Sequence, residues 1–507
     1  MGASVRLPRE LREFLELRGP QSLLLRGPPG AGKTTLALAL LESFGGRRVL
    51  VTSRVAPDEL HREFPWLGEE GSKSIDVVAT AGSTDGVRGA ARSVGKLSEL
   101  LAPGPEGSVD ALKAFLWLPE ALQEAWSRLG AEGPSLLVVD SWDALVEGYL
   151  GHPGKDRSDL PDREEVERIL LSRMASAPVH LVLVVEREAQ TQLDYLVNGV
   201  VHVGNEFKDE RLERWLLVRK LRGVRIAHGM YPFTLEGGRF ECIEPLQPYE
   251  DMPTGRAEPQ PDVMPEYLWP GSISFAESFG RLPVGGLTLF ELDPAVPQLV
   301  PYVLLAPIVA ETAGKGGPVV ILPDTRATPE LLWKRVKFSL PQKMYFEKVR
   351  FLWVPTRRED EPDSHDEFHR TILPLEAPKG DGSASSNWQV EEFLRAGEGA
   401  GATSLGVVHV NGIYAIANAF KVPLGNETAG AFPATLQAFM SGRATHTVVI
   451  GRVGDRFLEA VRPLASLRIQ IRMRQGRIML SGVSPWTPNF LLVAGQAHEP
   501  YQLARVV

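Results

Sequence analysis

Residues 22–35 read Ser-Leu-Leu-Leu-Arg-Gly27-Pro28-Pro29-Gly30-Ala31-Gly32-Lys33-Thr34-Thr35, and an Ala/Leu-rich stretch follows to residue 41. The run fits the pattern G-x-x-x-x-G-K-[ST] at every position. An apolar strand, a glycine-rich turn and a helix in that order leave few folds open. Glycines let backbone N–H groups turn inward around phosphate oxygens, because no Cβ blocks the approach. The helix that begins near Lys33 directs its positive end at the same place. Lys33 is predicted to reach the β- and γ-phosphates of a nucleotide. The Thr34 hydroxyl is predicted to ligate Mg²⁺. Residues Gly27 to Thr35 form the predicted nucleotide-binding stretch.

The segments that follow alternate between apolar strands and helical patterns. Residues 47–52 (Arg-Arg-Val-Leu-Val-Thr) are a second buried strand, and Pro57-Asp58-Glu59-Leu60 opens a helix. Residues 135–140 (Ser-Leu-Leu-Val-Val-Asp140) form a strand ending in a carboxylate, suited to hold Mg²⁺ through a water. Asp140 and Lys33 are the candidate catalytic residues. Residues 179–185 are another parallel-type strand, and Glu186 at its end is a further candidate for activating water. Strands alternating with helices behind a phosphate loop predict a doubly wound, mostly parallel α/β sheet. Short strands near 199–204, 214–219 and 231–235 predict an antiparallel extension. Residues 8–19 read as an amphipathic helix, and residues 148–163 as an exposed loop.

Composition narrows the class. The chain has 507 residues and a net charge of −8, so it is not globally basic, and no basic run marks a duplex-DNA surface. No apolar run reaches the roughly 18 residues of a membrane span. The first residues lack a signal-peptide core, and their sequence does not fit a myristoylation site. Cys242 is the only cysteine, which excludes an internal disulfide or a cysteine-based zinc site. A cytoplasmic location is expected.

Residues 193–203 (Leu-Asp-Tyr-Leu-Val-Asn-Gly-Val-Val-His-Val), 214–223 (Arg-Trp-Leu-Leu-Val-Arg-Lys220-Leu-Arg222-Gly) and 228–235 (His-Gly-Met-Tyr-Pro-Phe-Thr-Leu) resemble the end of a KaiC-type ATPase domain of the RecA superfamily. The resemblance covers about 20–245 and implies ATP as the nucleotide. It also implies that Lys220 and Arg222 touch the γ-phosphate held by a neighbouring domain. Two cations on alternate residues of a strand share one face, which suits such a contact. One departure stands out. The family places a glutamate after the strand at 47–52 to activate water, whereas this chain has Val51-Thr52-Ser53-Arg54. Asp58 and Glu59 come later, on the next helix. Tight ATP binding with slow hydrolysis is therefore expected.

Seven prolines between residues 244 and 270 predict an extended linker between a domain at 1–243 and one at 271–507. The second half repeats the first. Its residues 275–290 resemble the opening of KaiC-type domains. Against Gly27, Gly30, Gly32, Lys33 and Thr34 stand Leu292, Ala295, Pro297, Gln298 and Leu299. Neither ammonium nor hydroxyl remains, and Pro297 removes a donor. Ser53 is matched with Thr325, Asp140 with His409, and Lys220-Leu221-Arg222 with Arg472-Met473-Arg474. Arg472 and Arg474 thus become candidates to complete the first domain's site. Residues 356–400 and 422–432 read as surface insertions.

A degenerate second copy beside an intact first predicts a nucleotide-dependent switch read by a protein partner or by self-association. Among superfamily members the archaeal gas-vesicle regulator GvpD is similar in its phosphate loop, its length and its Ser-Arg-Val-x-Pro-x-x-Leu segment, and that resemblance implies a transcriptional regulator as the partner. The alternative is a RadA-like ATPase of DNA recombination or repair, which the shared fold allows and the acidic balance disfavours. A third reading, a KaiC-like autokinase, lacks the glutamate and an identifiable acceptor.

Overall fold

A computed structural model of the chain describes residues 7–53, 57–68, 75–79, 120–129, 133–150, 162–174, 179–243, 266–324, 327–353, 367–374, 403–419, 445–495 and 499–507. Two compact units divide it: residues 1–244 with 506–507, and residues 245–505.

The first unit is built on nine strands: β1 (Ser22–Arg26), β2 (Arg47–Thr52), β3 (Asp76–Ala79), β4 (Ser135–Asp140), β5 (Val179–Val185), β6 (Gly199–Lys208), β7 (Arg211–Leu221), β8 (Met230–Thr234) and β9 (Glu241–Cys242). Their order across the sheet is β3-β2-β4-β5-β1-β6-β7-β8-β9. The strands from β3 to β6 pair in parallel, and β6 onward pair antiparallel. Every residue of β1, β4 and β5 is buried, as a sheet covered on both faces requires. One face packs against helices Arg9–Leu15 and Lys33–Ser43 through Leu11, Phe14, Leu36 and Leu40. The other packs against helices Glu120–Leu129, Trp142–Leu150 and Arg163–Met174 through Leu122, Trp142 and Val166. Helix Lys33–Ser43 is apolar nearly all round, since it lies between the sheet and its own neighbours. The amphipathic pattern at 8–19 yields only the short helix Arg9–Leu15.

The second unit opens with a small antiparallel pair, β10 (Tyr267–Leu268) and β11 (Leu282–Pro283), with helix Ile273–Phe279 between them in the chain. Its main sheet holds β12 (Leu287–Leu292), β13 (Val319–Leu322), β14 (Val349–Trp353), β15 (Ile372–Pro374), β16 (Ser404–His409), β17 (Thr445–Arg452), β18 (Leu467–Arg474), β19 (Arg477–Ser484), β20 (Trp486–Ala494) and β21 (Tyr501–Arg505). The order is β15-β14-β13-β16-β17-β12-β18-β19-β20-β21. Strand for strand it repeats the first sheet and adds one edge strand. The chain is a tandem of RecA-like, mostly parallel α/β sheets.

Register makes the repeat exact to the residue. Leu25 lies beside Val184, and Val184 beside Asp140; likewise Phe290 lies beside Ile450, and Ile450 beside His409. Even the bulge recurs, between Val200 and Val201 in one copy and Arg468 and Ile469 in the other. Two sequence pairings shift under this register. Val51 lies beside Val139 and Leu322 beside Val408, so Asp324, not Thr325, stands where Ser53 stands. Arg472 and Arg474 lie on β18, the counterpart of β6, so they do not occupy the place of Lys220 and Arg222. Lys220 lies opposite Val200, and Ser484 holds the matching place opposite Arg468. A cation-x-cation pattern recurs readily on any half-exposed strand, and the sequence offered no count of strands to separate the two.

Most of the expected linker and of the loops at 148–163, 356–400 and 422–432 falls outside the described residues. Within 356–400 the described part includes β15, which pairs in parallel with β14 as part of the sheet. No helix among the described residues is long and apolar enough to cross a membrane.

Candidate nucleotide site

The loop between β1 and helix Lys33–Ser43 forms one wall of a cavity of about 230 Å³. Pro29, Gly30, Gly32, Lys33, Thr34 and Thr35 line it from the loop, and Asp140, Glu186 and Leu235 from other strands' ends. Pro28 closes the turn from behind, accepting the Ala31 N–H at 3.3 Å. Gly27 and Gly32 are needed for different reasons. A Cβ at Gly27 would lie 1.9 Å from the Val203 carbonyl of β6. Gly32 caps the helix in the left-handed region, at φ 100°. No side chain caps that helix, and its first turn carries no acid. Its positive end therefore faces the cavity without a side-chain cap.

Lys33 is only 8% exposed. Its Nζ donates to the carbonyls of Gly27 and Pro28 at 2.8 and 2.9 Å, which holds the loop curled around the ammonium. The Thr34 hydroxyl donates to the Asp140 carboxylate at 2.6 Å. A hydroxyl and a carboxylate in contact are hard oxygen donors of the type Mg²⁺ prefers. Among the described residues no cluster of three or more acidic, histidine or cysteine side chains offers an all-protein metal cage.

β5 lies between β1 and β4, so its end reaches the cavity between the loop and Asp140. Glu186 stands there. Its backbone N–H donates to Asp143 Oδ2 at 2.7 Å. Asp143 is buried and paired with Arg163 at 2.5 Å, and Arg163 also holds Glu167 at 2.9 Å. At the end of β2, where an acid is expected, Ser53 uses its N–H on the Asp140 carbonyl at 2.9 Å and its hydroxyl to accept from the Ser141 N–H. Asp58 and Glu59 are exposed on helix Pro57–Glu63.

Lys220 and Arg222 serve a local role in their own unit. Lys220 Nζ donates to the carbonyls of Asp194, Tyr195 and Val197, and Arg222 donates to that of Tyr195 at 3.3 Å. They cap the short helix Leu193–Leu196. Burial, and then the nearby Arg222, push the Lys220 ammonium below its ordinary pKa. Arg472 is buried at 2% exposure and donates to Asn489 Oδ1 at 2.8 Å. Arg474 lies 3.7 Å from Asp293.

Three residues of the site carried no motif. Arg214 on β7 donates to the Gly30 carbonyl at 2.9 Å, and Leu235 supplies an apolar wall. Arg26, the last residue of β1, is buried and donates to Asp194 at 2.6 Å. Its signal was visible as a charge ending an apolar strand.

The matching place in the second unit carries different groups. By register Leu292 stands for Gly27, His409 for Asp140 and Arg452 for Glu186. Arg452 Nη1 donates to the carbonyls of Asp293 and Pro294 at 3.3 and 2.8 Å, so a strand arginine takes turn carbonyls much as Lys33 does in the first unit. His409 and Asp324 are buried with 3.8 Å between Nε2 and Oδ2. Burial, outweighing the nearby Asp324, pushes the His409 imidazole down to about 4.

Comparison with known proteins agrees with this geometry. Residues 11–223 match the family described as GvpD gas vesicle protein, P-loop domain. Over 501 residues, 95% of this chain and 92% of the relative, the chain is 26% identical to Protein GvpD2 of Halobacterium salinarum. It is 26% identical over 391 residues to Protein GvpD1 of the same organism, spanning 74% of this chain and 68% of that protein. The first unit is thus a nucleotide-binding P-loop domain of the ATPase type that resembles the P-loop domain of the gas vesicle protein GvpD.

Proposed function

We propose that the first unit binds ATP with Mg²⁺, that the second is a pseudo-ATPase, and that nucleotide state switches the chain's contact with a protein partner or with another copy. The observation that carries this is the contrast between two equivalent places. One offers a cavity with Lys33, Thr34 and Asp140; the other holds Leu292, His409 and Arg452, with Arg452 already on the turn carbonyls.

On binding, the Lys33 ammonium exchanges the Gly27 and Pro28 carbonyls for phosphate oxygens. The uncapped helix N–H groups and the loop amides take the remaining oxygens. Thr34, and Asp140 through a water, would hold Mg²⁺, which would supply charge neutralisation at the phosphates. Glu186 is the acid best placed to accept a proton from water. Its site lies at the end of β5 rather than β2, and Ser53 offers no base, so turnover is slow. Lys220, Arg222 and Arg474 are the candidates for phosphate contact from a neighbouring unit. Arg472 is the fourth, and each of the four would leave a contact within its own unit to do so.

The partner is expected among proteins of a gas-vesicle system, a transcriptional regulator first, since the relatives are gas vesicle proteins. Sedimentation of the chain with and without Mg·ATP, together with partner affinity in both states, tests the switch. A change in assembly or at least a tenfold change in affinity is expected, equal to about 1.4 kcal/mol of coupling. ATP binding that alters neither refutes it.

A further inference from the structure

Arg26 is 1% exposed and follows three buried leucines at the end of its strand. A buried guanidinium costs several kcal/mol of desolvation, and a well-packed apolar side chain is often equally stable. Its partners explain the arrangement. Nη1 donates to the carbonyls of Arg187, at 2.7 Å, and Ala189. Nη2 reaches Thr191 Oγ1 at 3.4 Å and Asp194 Oδ2 at 2.6 Å. Asp194 in turn accepts from the Thr191 N–H at 2.8 Å. All of these lie on the connection from β5 to β6. That connection starts at Glu186 in the nucleotide cavity and ends at the helix whose carbonyls Lys220 holds.

The second unit fastens the same connection to the same strand position with the charges reversed. Glu291, in the register place of Arg26, is 3% exposed. It accepts from Arg462 and Arg468, each at 2.9 Å. Arg462 lies on the connection between β17 and β18. The place of the clamp recurs between the copies although its chemistry is inverted.

We propose that Arg26 is a positioning residue of the nucleotide site: it ties residues 187–194, and with them Glu186, to the phosphate loop that begins one residue later. Nucleotide that draws Lys33 off the Gly27 carbonyl acts on the residue next to Arg26, so the connection responds to occupancy. This response rests on the proposed ATP binding; the tie itself does not.

Hydrogen exchange of the full chain separates the two. Without nucleotide, Arg26→Met should speed exchange across 187–197 about tenfold and leave 47–52 unchanged, while Arg26→Lys stays within about threefold of wild type. With Mg·ATP, wild type and Arg26→Lys should gain protection at both 27–35 and 187–197. Arg26→Met should bind ATP but gain protection at 27–35 alone. Should Arg26→Met exchange faster everywhere, Asp194→Asn replaces it, with the same local acceleration expected. Unaltered exchange at 187–197 in these variants, or full ATP protection there without Arg26, overturns the proposal. Failure of wild type to bind ATP refutes the functional reading instead, and the nucleotide-free comparison still decides the tie.

Discussion

Replacing Lys33 with alanine separates the two tasks of the loop. In the structure the ammonium holds two carbonyls, at 2.8 and 2.9 Å, in a cavity that water can reach. A hydrogen bond to a charged group contributes about 1.5–3 kcal/mol. With nucleotide bound, the ammonium makes at least two such bonds to phosphate, so their loss amounts to about 3–6 kcal/mol, or roughly two to four decades of affinity. Without nucleotide, water replaces the ammonium at the freed carbonyls, and folding stability should change by less than about 1 kcal/mol. Calorimetric titration with Mg·ATP measures the first quantity. Thermal unfolding measures the second, and it should also show that the ATP-induced rise in melting temperature disappears. An affinity within threefold of wild type would refute the reasoning. So would a variant that binds weakly only because it no longer folds.

Three other substitutions probe the frame. Gly27→Ala places a methyl 1.9 Å from the Val203 carbonyl, so it should destabilise the first unit by about 3 kcal/mol or more in thermal unfolding, and a wild-type melt would contradict the packing. Gln298→Lys with His409→Asp, made in a Lys33→Ala background, should yield no ATP binding by calorimetry, because Leu292 and Arg452 still occupy the place. Glu10 is buried and accepts from Tyr231 at 2.5 Å and from the N–H groups of Ala227 and His228. Burial raises its pKa, but these bonds together hold it below the ordinary glutamate value. A depressed folded pKa gives stability that is present above the unfolded value and lost as pH falls through the folded one. Glu10→Gln should therefore cost about 1–3 kcal/mol at pH 7, with the gap to wild type closing below roughly pH 4 in chemical denaturation.

Local chemistry in this chain was legible and long-range pairing was not. The loop, Asp140 and the alternation of apolar strands with helices are written in contiguous residues, and they led directly to the parallel sheet and the cavity. The duplication was also readable, because buried parallel strands repeat as apolar runs of matching length. The register within it was not. Asp324 stands one residue from the expected pairing, and Arg472 and Arg474 lie on a different strand from the counterpart of Lys220, since only cross-strand hydrogen bonds fix which strand is which. Glu186 gained weight from the strand order, which inserts β5 between β1 and β4. Arg214 and Leu235 reach the loop from more than 180 residues away in sequence. No local pattern announces such contacts, whereas a charge at the end of a buried strand, as at Arg26, does mark a partner to be sought.

The number of nucleotides bound per chain tests the asymmetry between the two copies most directly. Calorimetry of the wild-type chain with Mg·ATP should give one site, abolished by Lys33→Ala. Two sites per chain, or a single site that survives Lys33→Ala and is lost on altering Leu292–Leu299, would contradict the account.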